Sequence, residues 1–261
     1  WSKGIMRYEP KVTIIIPVYN GSNFLAEAID AAIHQTYKNI EILVVNDGST
    51  DDGRSEKIAL SYGSKITYYR KENGGVSSAR NRGILESRFE YVAFLDGDDI
   101  WYPKHLEVIS NMINLFPEES VFATSFEYSD GRNVYRKFEP SKIIKINNYF
   151  ECSIKEHLMW TSTVVVRRNI LMKPFVFNEA ISMGEDMLLW NELMKLYSLV
   201  KSYSITSLYR LDAENRSNVN KYNMSKSYLS VLNLDTAIKN EKIYYKKLIN
   251  EKIKYFLVKG D

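Results

Sequence analysis

Residues 91–101 read YVAFLDGDDIW, an apolar strand that runs without a break into three carboxylates, Asp96, Asp98 and Asp99. Two earlier apolar segments, 12–17 and 40–45, also end in polar residues, and stretches with a helical apolar repeat follow them. Strands that alternate with helices at this spacing are typical of a mostly parallel α/β sheet. Ligands bind such sheets outside the carboxyl ends of the strands, so the polar residues there are the first candidates for a site.

The alternation of strands and helices stops after residue 120. Residues 121–128 and 134–138 flank Asp130-Gly131, which predicts a hairpin. Farther along, the pattern predicts a strand over 164–166 and a helix over 186–196. We therefore expect a mixed sheet in the second half of the chain.

The C-terminal part of the chain, from Met224 onward, has apolar residues at helical spacing, which predicts helix. The resulting division is an N-terminal extension or cloning remnant over 1–10, a main α/β domain over 11–217 and a helical extension over 218–261. Within the main domain we expect two halves, 11–106 and 107–217.

The composition is that of an ordinary globular protein, with 45% apolar and 26% charged residues in a chain of 261. The net charge of +3 gives no reason to expect a nucleic-acid partner. The single cysteine, Cys152, excludes an intrachain disulfide framework and is typical of a reducing compartment, so we expect a cytoplasmic location. No apolar run approaches the roughly 18 residues that a membrane span needs.

The acidic triplet that follows the 91–95 strand has two interpretations. Carboxylates crowded at a strand end repel one another, and a divalent cation would relieve that repulsion. Their oxygens suit Mg²⁺ or Mn²⁺, and Mg²⁺ commonly shares its shell with substrate phosphates. The alternative is a solvated acidic turn that caps the next helix, because Asp-x-Asp is a short and common pattern.

Five motifs, in order, resemble the nucleotide-sugar half of family 2 glycosyltransferases. They are Pro17-Val18-Tyr19-Asn20, Asp47-Gly48-Ser49-Thr50-Asp51, Asn73-Gly74-Gly75, Ala79-Arg80-Asn81 and the run from Phe94 to Trp101. The resemblance extends from Lys11 to Leu106 and more weakly to Ser217. It departs from the family at Asn46, where many members carry an aspartate. It implies the GT-A fold, with a Rossmann-like, mostly parallel central sheet, helices on both faces, a mixed-sheet acceptor half and C-terminal helices.

The resemblance also implies a UDP-sugar donor and a divalent metal, Mn²⁺ or Mg²⁺. The residues implied in donor binding are Pro17, Tyr19, Asp47, Asn73, Arg80, Asp96 and Gly97, and those implied in metal binding are Asp98 and Asp96. Other roles stay open: Tyr19 as a packed aromatic, Asp47 in a turn onto Ser49, and Arg80 in a surface ion pair. We expect Asp51 to cap the next helix, and Asp99 to hold either Trp101 or a helix end.

Residues 183–190, which read MGEDMLLW, resemble the Glu-Asp signature of the same family. This match makes Asp186 the general base and places Glu185 beside it, in an inverting single displacement; the alternative is a helix-capping role. The residues implied in acceptor binding are Trp160, Thr161 and Ser162, although Trp160 is equally typical of a core. Two arginines, Arg210 and Arg216, resemble a segment that closes over the diphosphate.

The function implied is an inverting glycosyltransferase that builds a bacterial capsule, O-antigen or lipopolysaccharide on a saccharide acceptor, typically lipid-linked. Residues 239–259 carry seven lysines and two glutamates beside an apolar stripe. Such a helix suits peripheral contact with the inner face of the cytoplasmic membrane. The alternative is a helix packed on the catalytic domain with a solvated basic face.

Two other functions compete with sugar transfer. A nucleotidyltransferase also uses an α/β sheet and acidic metal ligands, but it would usually carry a basic, glycine-rich loop where Pro17-Val18-Tyr19-Asn20 stands. A non-catalytic relative would bind a nucleotide sugar or a partner protein without transfer. The presence of Asp96, Asp98 and Asp186 argues against that second alternative.

Overall fold

The computed structural model describes residues 8–129, 142–211 and 223–259. Its strands, in chain order, are β1 (Val12–Val18), β2 (Ile40–Asn46), β3 (Thr67–Arg70), β4 (Tyr91–Phe94), β5 (Ile100–Trp101), β6 (Val121–Tyr128), β7 (Ile143–Ile146), β8 (Val164–Arg167) and β9 (Leu199–Tyr209). Its α-helices are α1 (Leu25–Ile33), α2 (Arg54–Leu60), α3 (Val76–Glu86), α4 (His105–Leu115), α5 (Tyr149–Ser153), α6 (Glu185–Met194) and α7 (Lys239–Lys259). The predicted hairpin turn Asp130-Gly131 and the strand over 134–138 lie outside the described residues.

The strands form one mixed sheet in the order β3-β2-β1-β4-β8-β6-β9-β5, and β7 pairs with β9. The first four strands are parallel, whereas β8 is antiparallel to both β4 and β6. The sequence predicted parallel pairing in the first half of the chain and mixed pairing in the second, and both predictions are confirmed. Because β1, β2 and β4 run in the same direction, their carboxyl ends meet at one edge of the sheet.

The core lies on both faces of the sheet, as the apolar runs predict. All seven residues of β1 are buried, and they alternate between the two faces. Ile15 belongs to the cluster that holds α3, α5, α6 and part of α7, whereas Ile14 and Ile16 belong to the cluster under α1, α2 and α4. A strand covered on both faces has no position that meets water, which explains its mostly apolar sequence. Its one polar side chain, Thr13, donates to Glu41 Oε1 at 2.5 Å.

A bulge between β6 and β9 places a lysine inside the protein. Ala123 pairs with Lys201, but Ser125 pairs with Ile205, so β9 carries extra residues at this point. The Lys201 ammonium donates to the carbonyl oxygens of Thr124, at 2.6 Å, and Leu158, at 2.8 Å. Burial lowers the pKa of Lys201 to about 7. These hydrogen bonds anchor the segment that leads into Trp160.

The helix predicted from Met224 begins much later than expected. Residues 224–231 form two short 3₁₀ turns, because the side chains of Asn223 and Ser227 accept hydrogen bonds from the backbone N–H groups of Ser225 and Leu229. The α-helix itself starts at Lys239, and its first half packs on α5 through the pairs Tyr149–Tyr244 and Phe150–Tyr245. In the described part of the chain, no helix combines the length and the apolar character that crossing a membrane requires.

Candidate active site

A cavity of about 590 Å³ opens at the carboxyl ends of β1 and β4. This position is the point where the chain order of the sheet changes direction, a common place for ligand sites in α/β folds. Its walls come from three separate segments, 17–21, 96–99 and 182–187, together with an aromatic side formed by His157, Trp160 and Tyr209. The predicted donor and base motifs therefore face the same space.

The loop after β1 forms one wall, with Pro17 and Tyr19 in its lining. Tyr19 is 43% exposed, so it is not the packed strand-end aromatic that was the alternative. The next residue, Asn20, fixes the loop because its side-chain oxygen accepts a 2.7 Å hydrogen bond from the backbone N–H of Thr50. The Tyr19 ring is thus accessible and presented by an anchored loop.

Asp47 does not reach the cavity, contrary to its predicted contact with a nucleobase. Its side chain is buried, and one carboxylate oxygen accepts from Lys71 Nζ at 2.7 Å and the backbone N–H of Gly74 at 3.0 Å. The other oxygen accepts from Gly75 N at 2.7 Å. The carboxylate therefore holds the 71–75 loop in place, and Asn73 in that loop is exposed outside the cavity lining.

The turns after β2 use neighbouring side chains. The turn onto Ser49 is made by Asn46, whose Oδ1 accepts from Ser49 N at 2.9 Å, and not by Asp47. The predicted capping role of Asp51 is confirmed, because its Oδ2 accepts from the backbone N–H of Ser55 at 3.0 Å in the first turn of α2.

The acidic loop divides into two kinds of carboxylate. All four residues from Asp96 to Asp99 border the cavity, but Asp99 is only 2% exposed and accepts a 2.7 Å hydrogen bond from Ser162 Oγ. The Trp101 indole donates to the carbonyl oxygen of Ser162, so Asp99 and Trp101 hold the same residue instead of each other. Two carboxylates remain to face a ligand.

These two carboxylates fit a divalent cation that takes its other ligands from phosphates and water. Among the residues that the structure describes, no group of three or more His, Cys, Asp or Glu side chains is arranged to hold a metal by itself. A Mg²⁺ or Mn²⁺ site that shares its ligands with substrate phosphates needs only one or two protein carboxylates. The residues present are thus compatible with Mn²⁺ or Mg²⁺ held by Asp96 and Asp98.

Arg80 joins the two acidic parts of the site. It is 3% exposed, and its guanidinium donates to Asp96 Oδ1 at 2.7 Å and to Glu185 Oε1 at 2.8 Å. Burial alone would lower the pKa of Arg80, but the charges of Asp96, Glu185 and Asp186 outweigh burial and raise it above its usual value. The alternative of a surface ion pair is wrong, because Arg80 is a buried bridge.

The two carboxylates at the start of α6 differ in access. Glu185 is buried and bound to Arg80, and burial together with the charge of Asp186 raises its pKa. Asp186 is partly exposed in the cavity; its Oδ2 accepts from Thr161 Oγ1 at 2.7 Å and its Oδ1 from Met187 N at 2.8 Å. Asp186 is therefore the carboxylate able to meet a ligand.

Gly184 directs α6 into the cavity. Its φ of +74° is a left-handed conformation, and a Cβ atom there would lie 2.3 Å from the Tyr228 ring. Two backbone hydrogen bonds join the segment before Gly184 to the segment over 226–228. Met183 O accepts from Tyr228 N and Lys226 O accepts from Ser182 N, both at 2.9 Å. The segment over 226–228 thus supports the segment that carries Glu185 and Asp186.

An aromatic wall, formed by His157, Trp160 and Tyr209, lines the same cavity as Asp186. The rings of Trp160 and Tyr209 meet edge to face with centroids 4.6 Å apart, and His157 lies 5.8 Å from Trp160. Burial lowers the pKa of His157, against the attraction of the Asp186 charge. Trp160 lies in the lining as predicted, and so does Tyr209, whose motif with Arg210 resembles the segment that closes over the diphosphate. His157 was not predicted, because no sequence motif surrounds it.

Two of the predicted acceptor residues lie behind the wall. Thr161 and Ser162 are 2% and 0% exposed, so they do not contact a ligand in the cavity. They begin the short 3₁₀ turn before β8, and their hydroxyl groups are used by Asp186 and Asp99. The expectation that they bind the acceptor is therefore corrected.

Of the two arginines predicted to close over the diphosphate, Arg210 is not part of the cavity lining. Arg210 forms an ion pair with Glu27 of α1, and its guanidinium lies 4.8 Å from the centre of the Phe24 ring. This pairing draws it toward α1 and away from the acidic loop. The second arginine, Arg216, lies outside the described residues.

Comparison with known proteins supports the interpretation of the motifs. The profile of the family described as "Glycosyl transferase family 2" matches residues 13–175. An uncharacterized glycosyltransferase of Rickettsia felis is 39% identical over 211 residues, which are 79% of this chain and 35% of that protein. The minor teichoic acid biosynthesis protein GgaB of Bacillus subtilis is 32% identical over 250 residues, which are 87% of this chain and 27% of GgaB. The chain thus spans about a third of the length of these relatives.

Solved structures share the fold. Residues 1–349 of S. aureus TarS in complex with UDP-GlcNAc match with a TM-score of 0.66 and 21% identity, over 81% of this chain and 61% of that one. The mannosyltransferase PcManGT from Pyrobaculum calidifontis, in complex with GDP-Man and Mn²⁺, matches with a TM-score of 0.57 and 17% identity, over 80% of this chain and 59% of that one. The expected GT-A fold is confirmed by these likenesses.

Proposed function

The chain belongs to glycosyl transferase family 2, and from that premise we propose that it transfers a sugar from a UDP-sugar to a hydroxyl group of a saccharide acceptor. One observation carries the proposal. Asp96 and Asp98 line the same cavity as Asp186, although almost ninety positions separate the acidic loop from α6 in the sequence. The carboxylates proposed for the donor side and the acceptor side therefore line one cavity.

The donor side is formed by the loop after β1 and by the acidic loop. Pro17 and the exposed ring of Tyr19 offer a surface for the nucleobase, and the diphosphate lies toward Asp96 and Asp98. A divalent cation held by these two carboxylates, Mn²⁺ or Mg²⁺, would supply positive charge to the departing diphosphate. The UDP-GlcNAc bound to TarS and the Mn²⁺ bound to PcManGT support this choice of donor and metal.

Asp186 takes the proton in the proposed reaction. The acceptor hydroxyl gives its proton to the Asp186 carboxylate while its oxygen attacks the anomeric carbon. The bond from that carbon to the diphosphate oxygen breaks, and UDP leaves with the bonding electrons. Glu185 is unsuited to this step because Arg80 already occupies it in a buried ion pair.

The displacement is direct and therefore inverts the anomeric configuration. Attack by the acceptor oxygen comes from the face opposite the leaving diphosphate, with Asp186 on the acceptor side of the cavity. The aromatic wall of Trp160 and Tyr209 offers a flat apolar surface, and sugar rings stack on such surfaces. This wall is the proposed place of the acceptor.

The product we propose is a bacterial cell-surface glycan. The teichoic acid protein GgaB supports this choice, since it is 32% identical over most of this chain. Capsule, O-antigen and lipopolysaccharide are alternatives of the same chemical class. Membership of the family favours sugar transfer over nucleotidyl transfer, and the intact Asp96, Asp98 and Asp186 favour catalysis over binding alone.

The end of α7 is the proposed contact with a membrane that carries a lipid-linked acceptor. Leu257 and Val258 are 76% and 86% exposed, and Lys252 and Lys254 lie one turn before them. Apolar side chains beside lysines suit an anionic lipid surface. Sedimentation with vesicles of phosphatidylglycerol tests this contact, with phosphatidylcholine vesicles as the control. Equal recovery of the protein with both vesicles would contradict it.

A panel of UDP-sugars with Mn²⁺ tests the proposed donor. Water replaces the acceptor in such an assay, so slow release of UDP identifies the sugar even when the acceptor is unknown. We expect UDP release from one or a few members of the panel and a loss of release when EDTA removes the metal. Failure of every UDP-sugar, with no rise in melting temperature on adding UDP and Mn²⁺, would contradict the proposal.

A further inference from the structure

Thr161 and Ser162 are neighbours in the chain, yet their hydroxyl groups form hydrogen bonds with two different segments of the cavity wall, α6 and the acidic loop. Thr161 Oγ1 donates to Asp186 Oδ2 at 2.7 Å. Ser162 Oγ donates to Asp99 Oδ2 at 2.7 Å and accepts from the backbone N–H of Asp96 at 3.1 Å. Two consecutive residues therefore contact the proposed base and the acidic loop at the same time.

The turn that carries this pair is held on several sides. Ser162 O accepts a 2.5 Å hydrogen bond from the Trp101 indole, and Thr163 N donates to Trp160 O at 2.8 Å. The strand that follows, β8, pairs with β4 through Val165 and Ala93, directly before the acidic loop. Because the turn is buried and tied to the sheet, the two hydroxyl groups have a set spacing.

We propose that Thr161 and Ser162 are positioning residues that fix Asp186 relative to the acidic loop. The inference rests on the proposed function, since it concerns the geometry of that reaction. Attack on the anomeric carbon requires the reacting atoms within about 3–3.5 Å and aligned, and a misplacement of about 1 Å can cost 10²-fold in rate. Met187, the other donor to Asp186, belongs to the same helix, whereas Thr161 holds the carboxylate from outside α6. The link to the acidic loop then runs through the neighbouring Ser162.

Arg80 makes a second, distinct bridge across the same gap. It joins Asp96 to Glu185, whereas Thr161 and Ser162 join the acidic loop to Asp186. The Arg80 bridge holds the start of α6 near the acidic loop. The hydroxyl pair then sets the orientation of Asp186, the more exposed of the two α6 carboxylates in the cavity lining.

The replacement Thr161→Val removes the hydroxyl group and keeps the shape of the side chain. We expect kcat for UDP release to fall about 10- to 100-fold while KM for the UDP-sugar changes less than about 3-fold. Thr161→Ser should restore kcat to within about 3-fold of the wild type.

Ser162→Ala and Thr163→Val complete the set. Ser162→Ala removes the contact with the acidic loop and should raise the Mn²⁺ concentration needed for half-maximal rate by about 10-fold. Thr163→Val is the matched control: its hydroxyl is equally buried in the same turn but donates to Trp160 O, with no carboxylate involved. We expect its kcat to stay within about 3-fold of the wild type.

Two results would overturn the inference. One is a wild-type kcat for Thr161→Val. The other is an equal loss of kcat in Thr161→Val and Thr163→Val, which would point to the turn and not to the hydroxyl group. A wild-type chain that turns over no UDP-sugar contradicts the proposed function instead. A double-mutant cycle of Thr161→Val and Asp186→Ala on melting temperature then decides the contact itself, and additive shifts would overturn it.

Discussion

Replacement of Arg80 by methionine removes the cation that the buried Glu185 and the partly buried Asp96 share. Arg80 is 3% exposed and binds Asp96 at 2.7 Å and Glu185 at 2.8 Å. Removing one partner from a buried ion pair costs about 3–5 kcal/mol, because a charge is left without compensation. The Asp96 side chain is 25% exposed and partly solvated, so we expect the lower end, about 3 kcal/mol. For a chain of this size that corresponds to a fall in melting temperature of roughly 6–12 °C.

The pH dependence of this loss identifies its cause. The pKa of Glu185 is already raised by burial and by Asp186, and Arg80 opposes the rise. Without Arg80, the folded state binds a proton at Glu185 more tightly than the unfolded state does. The loss of unfolding free energy in Arg80→Met is therefore largest above the pKa that Glu185 has in the folded variant. The loss declines as the pH falls through that pKa. The difference in free energy of unfolding between Arg80→Met and the wild type should therefore decrease from pH 7 toward pH 5.

Urea denaturation of Arg80→Met, with Arg82→Met as the matched control, measures this effect. Arg82 lies on the same helix but pairs with Glu86 at the surface, where the side chains are 39% and 29% exposed. Such a pair contributes about 0.5 kcal/mol or less. Equal losses in the two variants, or no loss at pH 7 in Arg80→Met, would refute the buried-bridge explanation.

Three further predictions concern other parts of the site. Gly184→Ala should lower the free energy of unfolding by more than Gly53→Ala does. Both glycines have a positive φ, and left-handed strain alone costs about 1–2 kcal/mol. Of these two positions, only at Gly184 would the added Cβ also collide with a side chain, that of Tyr228. Lys201→Met should flatten the rise in stability between pH 7 and pH 9, since the unfolded chain binds the Lys201 proton more tightly than the folded one; an unchanged slope would contradict the lowered pKa. Asp98→Ala should abolish the increase in UDP affinity that Mn²⁺ produces, and calorimetric titrations showing the same metal effect as in the wild type would exclude Asp98 as a ligand.

The fold could be predicted where strands are buried on both faces. Strand β1 is mostly apolar because neither of its faces meets water, and exposed residues begin directly after it. The late start of α7 could not be predicted from apolar spacing. Asn223 and Ser227 offer the backbone N–H groups side-chain acceptors, which favour short turns over a helix.

The site could be predicted only as a set of motifs, and not as a set of contacts. Asp96, Asp98 and Asp186 stand in recognisable local patterns, and all three face the cavity. The ion pair between Arg80 and Glu185 joins residues 105 positions apart, a distance over which no local pattern operates. For the same reason, burial of Thr161 and Ser162 behind the wall was not visible in the sequence.

Asp47 shows a different limit of sequence reasoning. A carboxylate that follows β2 is able to accept hydrogen bonds either from a nucleobase or from a neighbouring loop of the protein. An aspartate suits both roles. Three hydrogen bonds from Lys71, Gly74 and Gly75 decide for the loop. Those donors come from a segment more than twenty positions away, so the choice between the two roles depends on tertiary packing.

The role of Asp186 as the base is tested most directly by Asp186→Asn. The measurement compares UDP release from the best UDP-sugar with UDP binding in the same preparation, with wild type and Glu185→Gln in parallel. We predict a loss of kcat of at least about 10³-fold in Asp186→Asn, with the Kd for UDP and Mn²⁺ within about 3-fold of the wild type. Release of UDP at the wild-type rate by Asp186→Asn would contradict sugar transfer by this carboxylate.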